Sequence, residues 1–141
     1  MNLEKSSSIF NDSNQTIFFL KKEVEKFVKE RKWNKYHTPK ELAQAISIES
    51  AELLELFLFQ NPSIDEILNN SDFFSRISEE FADIFIYLLS FANSINLDIS
   101  YAFQKKMEKN RKKYPLSEFS NGSYKKKESF EKFLIKNGIK F

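Results

Sequence analysis

Residues 48–57, IESAELLELF, and residues 78–91, SEEFADIFIYLLSF, decide how this chain is read. In the first, apolar residues return every three or four positions, the period of an amphipathic helix. The inward stripe of the surrounding segment is Leu42, Ile46, Glu49, Leu53 and Leu56, so a glutamate stands where an apolar residue belongs. In the second, the stripe is Ile77, Glu80, Ile84, Tyr87 and Phe91, and Glu80 is the intruder. Each intruder is followed three residues later by another acid, Glu52 after Glu49 and Asp83 after Glu80. Like charges at that spacing share a helix face and repel one another.

An unpaired carboxylate on a buried stripe is costly, so it must be protonated, paired or bound to a cation. If the two helices pack as neighbours, Glu49, Glu52, Glu80 and Asp83 converge. Converging oxygen ligands at this density suit a hard divalent ion: Mg²⁺, Mn²⁺ or Ca²⁺. His37 is the sole histidine. A di-iron centre of the ferritin type, which takes a histidine from each of two helices, is therefore excluded, and a zinc hydrolase site is disfavoured. The competing reading is a solvated acidic face. Glu55 and Glu79 are read as solvated or as flanking the site.

Working outward, the chain has 141 residues, the size of one domain with one core. Hydrophobic residues make up 41%, with 16 Phe, whereas 2 Gly and 3 Pro leave too few turn residues for an all-β sandwich or barrel. An all-α fold is expected. The 22 basic and 20 acidic residues leave a formal charge of +2, which does not point to a nucleic-acid binder. The lysine run in YKKKESFEKF is read as a solvated face. Without cysteine there are no disulfides, thiolate metal sites or cysteine nucleophiles. No apolar run approaches the ~18–20 residues that span a bilayer. The opening residues MNLEKSSSIFNDSNQ lack the apolar core of a signal peptide, so a cytoplasmic protein without a membrane partner is expected.

The expected elements follow from start and stop signals. Residues 1–14 are expected to be a flexible N-terminus. A first helix starts near Thr16 and runs to about Lys32. HTPKEL opens a second, with Thr38 as N-cap, Pro39 at the first position and Glu41 completing a capping box. That helix is expected to reach about Phe59, before Pro62. Ser63 and Glu66 form another capping pair on a short turn. A third long helix is expected over about 72–94, and a fourth from after Asp98 to before Pro115. A short amphipathic helix carrying Phe130, Phe133 and Leu134 is expected after a break at Asn121–Gly122.

Four stretches in order, WNKYHTPKELA, IESAELLELF, EEFADIFIYL and KKMEKNRKKYP, make the chain resemble the MazG-like nucleoside triphosphate pyrophosphohydrolases. The likeness is to their small dCTP-pyrophosphatase-like branch and covers about residues 27–115. The family pattern is a tryptophan and histidine before a helix, E-x-x-E in that helix, E-x-x-D in the next, and a K-M-x-x-N-R-x-x-Y-P ending. The resemblance implies a four-helix bundle assembled as a homodimer or homotetramer, a domain over 15–115 and a C-terminal extension over 116–141. It implies Mg²⁺-dependent hydrolysis, with Mn²⁺ as a substitute, of a nucleoside triphosphate to the monophosphate and pyrophosphate. The substrate is expected to be dCTP or a related or modified pyrimidine deoxynucleotide.

Carried over by position, Glu49, Glu52, Glu80 and Asp83 would be catalytic metal ligands. Glu52 or Glu55 would serve as the base that takes a proton from water. Lys106, Asn110 and Arg111 would lie near phosphate and sugar, Tyr87 beneath the deoxyribose, and Trp33 and His37 beside the base. Phe59 stands where the dCTP-specific branch has a tryptophan. Ile48 and Ser50 or Ala51 replace family glycines, and the tail after Pro115 has no clear counterpart. Two alternatives stand beside this reading. One is a family relative acting on other or non-canonical triphosphates. The other is a helical interaction module with an inactive acidic site.

Overall fold

The computed structural model describes residues 10–120 and 122. It shows six α-helices among them: α1 (Ile17–Glu30), α2 (Pro39–Glu55), α3 (Ile64–Asn69), α4 (Ser71–Ser94), α5 (Ile99–Lys113) and α6 (Leu116–Phe119). A single 3-10 turn, Trp33–Lys35, joins α1 to α2. No strand occurs among the described residues, so the all-α expectation holds, with four long helices in the expected order. No single helix among them is long and apolar enough to cross a membrane. The expected amphipathic helix around Phe130, Phe133 and Leu134 lies outside the described residues.

Caps explain why the helices begin where they do. The hydroxyl of Thr16 accepts from the Phe19 amide at 3.1 Å, and that of Thr38 from the Glu41 amide at 3.3 Å. At Thr38 the Glu41 carboxylate lies 3.8 Å from Lys40 Nζ, so the expected box is formed there only through Thr38. At Ser63 the box is complete, because the Glu66 carboxylate accepts from the Ser63 amide at 2.7 Å.

Helix α2 stops at Glu55, four residues short of the expected end. The backbone then tightens, with Phe57 and Leu58 donating to carbonyls three residues back, both at 3.0 Å. Pro62 forbids continuation, and Phe57 turns to meet Phe73 edge-on at 5.6 Å. Phe59 therefore lies in a left-handed turn at φ 59° rather than in the helix.

The molecule divides into two units at Ser100–Tyr101. In the first, α4 is the central element: α2 packs along it, and α1 packs on it as well. Asn93 Nδ2 donates to the Lys21 carbonyl at 2.9 Å, which sets α1 against the end of α4. The expected stripes are half-buried or buried throughout: Leu42, Ile46, Glu49 and Leu53 on α2 with Leu56 at its C-cap, and Ile77, Glu80, Ile84, Tyr87 and Phe91 on α4. The deepest residues of α4 are different ones, Leu89, Ser90 and Ala92. One inward stripe is not enough for a helix enclosed by two neighbours. In the second unit, Phe119 meets Tyr114 edge-on at 5.3 Å.

Candidate metal centre and substrate cleft

The acidic pairs lie on α2 and α4, the two helices that pack most closely. Their steps of three place each pair on one side of its helix, and the packing brings the sides together. One carboxylate oxygen from each of Glu49, Glu52 and Glu80 lies within 4.8 Å of the others. Oxygen ligands bound at about 2.0–2.6 Å to one ion sit no more than ~5 Å apart, so three such oxygens fit around a single hard cation. Glu49 and Glu80 are half-buried and Glu52 is exposed.

Electrostatics agrees with the geometry. Burial, and then the carboxylates of Glu52, Asp83 and Glu80, push the Glu49 carboxyl above its ordinary range. Asp83 is thus close enough to be felt at Glu49, although it is exposed and outside the trio that closes within 4.8 Å.

Beside the acids, α1, the 3-10 turn and α4 enclose a cleft of about 530 Å³. Asp83 and Tyr87 from α4, and Trp33 and His37 from the turn region, line it. The family resemblance assigned these four to metal, sugar and base, and all four line this cleft. Trp33 is held edge-on to Phe27 at 5.8 Å, and the Arg31 guanidinium lies 3.5 Å over the Phe27 ring. Lys32 at φ 57° turns the chain sharply before Trp33. His37 is half-buried, and the loss of water lowers its pKa below the ordinary 6.5. Its imidazole is therefore neutral near pH 7, with one nitrogen donating and the other accepting.

Phe59 is 99% exposed and lines no part of the cleft. Lys106, Asn110 and Arg111 lie on α5, in the second unit, with Asn110 half-buried and the other two exposed. Val24, Phe27 and Ser90 line the cleft but were not singled out from sequence. In the sequence, Val24 and Phe27 are apolar residues at helical spacing on α1, a pattern that any core stripe shows. The signal for Ser90 was its place three residues after Tyr87, on the same helix face.

A profile of the MazG-like family matches residues 44–129. The chain is 36% identical over 101 residues to dCTP pyrophosphatase 1 of Bos taurus, covering 69% of this chain and 57% of that protein. To the Homo sapiens dCTP pyrophosphatase 1 it is 33% identical over 93 residues, 63% of this chain and 53% of that one. The chain thus spans little more than half the length of these relatives. Among solved structures, a pyrophosphatase from Archaeoglobus fulgidus superposes with a TM-score of 0.65 at 39% identity, covering 75% of this chain and 98% of that chain. The ordered motifs, the paired acidic helices and these likenesses agree: the chain belongs to the MazG-like family.

Proposed function

We propose that this protein is a nucleoside triphosphate pyrophosphohydrolase that works with Mg²⁺, or Mn²⁺ in its place. The convergence of Glu49, Glu52 and Glu80 beside a nucleotide-sized cleft carries this reading, and the names of the similar proteins support it. Glu49, Glu52, Glu80 and Asp83 would hold the ion, which when bound neutralises triphosphate charge and clamps phosphate oxygens. Water attacks phosphorus, its proton passes to a carboxylate not engaged by the ion, Glu55, or Glu52 if it does not coordinate directly, and the bond to the leaving pyrophosphate breaks. Tyr87, one turn beyond Asp83, packs under the sugar and disfavours a 2′-hydroxyl. Trp33 and His37 flank the base. Lys106, Asn110 and Arg111 enter as phosphate and sugar partners through their sequence motif alone.

The proposed substrate is dCTP or a related pyrimidine deoxynucleotide. The test is pyrophosphate release from a panel of dNTPs, NTPs and 5-modified dCTPs. Release should require Mg²⁺, stop with EDTA, and be fastest for a pyrimidine deoxynucleotide. No release from any of them would favour the interaction module with a dead acidic site.

The domain is proposed to span 15–115 and to work as a homodimer or homotetramer. Only Val28, Leu42, Leu56, Leu89 and Ala92 are buried apolar residues among those described, while large apolar side chains remain in water. On α4, Phe74, Phe81 and Leu88 recur at steps of seven and are 49%, 64% and 45% exposed. A seven-residue apolar repeat is the seam along which helices pair, and a second copy is the occupant that supplies a matching seam. Light scattering should give a molar mass of two or four chains, and Phe81→Glu should reduce it. A wild type that is monomeric at micromolar concentration would refute this.

A further inference from the structure

Among the described residues, Ser90 is the buried polar residue, 5% exposed, and its Oγ has no hydrogen-bond partner. Helical serines usually satisfy the hydroxyl by donating to the carbonyl four residues back. Ser47, Ser50 and Ser78 do so here, on Ala43, Ile46 and Phe74. Ser75 and Ser94 donate instead to the Glu79 carboxylate and the Phe91 carbonyl. The Ser90 hydroxyl is buried without a partner, and a buried unmade hydrogen bond costs stability. Its position suggests why the fold tolerates it. Ser90 forms part of the wall of the 530 Å³ cleft and of an adjoining cavity of about 270 Å³. Val24, Val28 and His37 belong to both walls, and Asn34 and Asn93 line the smaller cavity.

Helix α4 also sets the distances. Glu80, Asp83, Tyr87 and Ser90 follow at steps of three, four and three, which keeps them on one face. At ~1.5 Å per residue, Ser90 lies about 10 Å along the axis from Asp83. That is comparable to the reach of a nucleoside monophosphate from its phosphorus to the far edge of its base.

We propose that Ser90 is a base-recognition residue, its hydroxyl hydrogen-bonding the edge of the nucleobase seated between these two cavities. The proposal rests on the pyrophosphohydrolase reading above. On this account α4 reads the substrate along its length: phosphate at Glu80 and Asp83, sugar at Tyr87, base at Ser90. The neutral His37 imidazole brings one donor and one acceptor to the same walls. A hydroxyl and a neutral imidazole suit a base edge that alternates donors and acceptors. Val24 and Val28 supply the apolar surface that a flat ring needs.

The test compares wild type with Ser90→Ala. Steady-state kinetics are run on the four dNTPs with Mg²⁺, calorimetry of the deoxynucleoside monophosphates in EDTA, and melting without ligand. Ser90→Ala should raise KM for the best substrate about tenfold, the size of one hydrogen bond to a buried partner. Monophosphate binding should weaken by a similar factor, and the ranking among bases should narrow. The ligand-free variant should melt at or above the wild-type temperature, because the variant removes an unsatisfied hydroxyl. An active wild type whose KM values and ranking survive the substitution would overturn this inference alone, leaving the pyrophosphohydrolase reading intact. A variant that melts well below wild type also overturns it, since the hydroxyl would then be held by the fold. A wild type inert on every nucleotide overturns both readings.

Discussion

Glu49→Gln is expected to lower the rate of pyrophosphate release by at least ~100-fold, since a metal site supplies several kcal/mol of transition-state stabilisation and each ~1.4 kcal/mol is a factor of ten. Glutamine keeps the shape and removes the charge at Glu49, where burial and neighbouring acids push the carboxyl above its ordinary range. A second readout separates metal binding from chemistry. Mg²⁺ should raise the melting temperature of wild type, because a ligand that binds only the folded state stabilises it. In the variant that rise should be lost or strongly reduced.

The metal-free proteins should differ in the opposite sense. Burial and neighbouring acids raise the Glu49 pKa in the folded state above the ordinary 4.5. The folded state therefore holds this proton more tightly than the unfolded chain does. As pH rises from about 4.5 through the folded pKa, this residue subtracts from stability, and the deficit persists at neutral pH. Glu49→Gln removes the deficit, so without metal the variant should melt at or above wild type at pH 7. Equal activity in variant and wild type, or an undiminished Mg²⁺ shift, would dismiss the acidic trio as the site.

The largest loss of stability is expected from Leu89→Ala. Leu89 is 2% exposed on α4, the helix on which both α1 and α2 pack. Truncating a buried leucine costs about 2–5 kcal/mol through lost transfer energy and the cavity left behind. A domain of this size has only ~5–15 kcal/mol in hand. At roughly 4–8 °C per kcal/mol, the melting temperature should fall by about 10 °C or more. Leu88→Ala is the internal comparison. Its side chain is 45% exposed, so within a single chain it should cost far less. If it too is costly, the loss should depend on protein concentration, as expected where a second copy covers that face. A Leu89→Ala protein melting within ~2 °C of wild type would mean the core has been placed wrongly.

Much of the site could be read before any fold was known, for a particular reason. Glu49 and Glu80 interrupt apolar stripes, and an interruption that costs desolvation energy stands out against a periodic background. The stripes also said which helix faces meet, so Glu49, Glu52 and Glu80 could be grouped in advance. Helix starts were equally legible at Thr16, Thr38 and Ser63, because a capping side chain acts within four residues of its own position. The end of α2 was not. Its tightening depends on Phe57 meeting Phe73, sixteen residues away in sequence.

The chain's own order of residues thus determined the all-α class, the helix starts and the acids destined for one place. All are local or periodic properties, carried by neighbours three and four residues apart. The tertiary structure alone decided the remainder. It buried Leu89 and Ala92 more deeply than the half-buried neighbouring stripe, because α4 is enclosed from two sides. It left Phe59 in water, and it brought Trp33 and His37 into one wall with Asp83 and Tyr87. It also shut the Ser90 hydroxyl away without a partner. Those outcomes depend on which elements cover a residue, and a stripe on one helix carries no record of its neighbours.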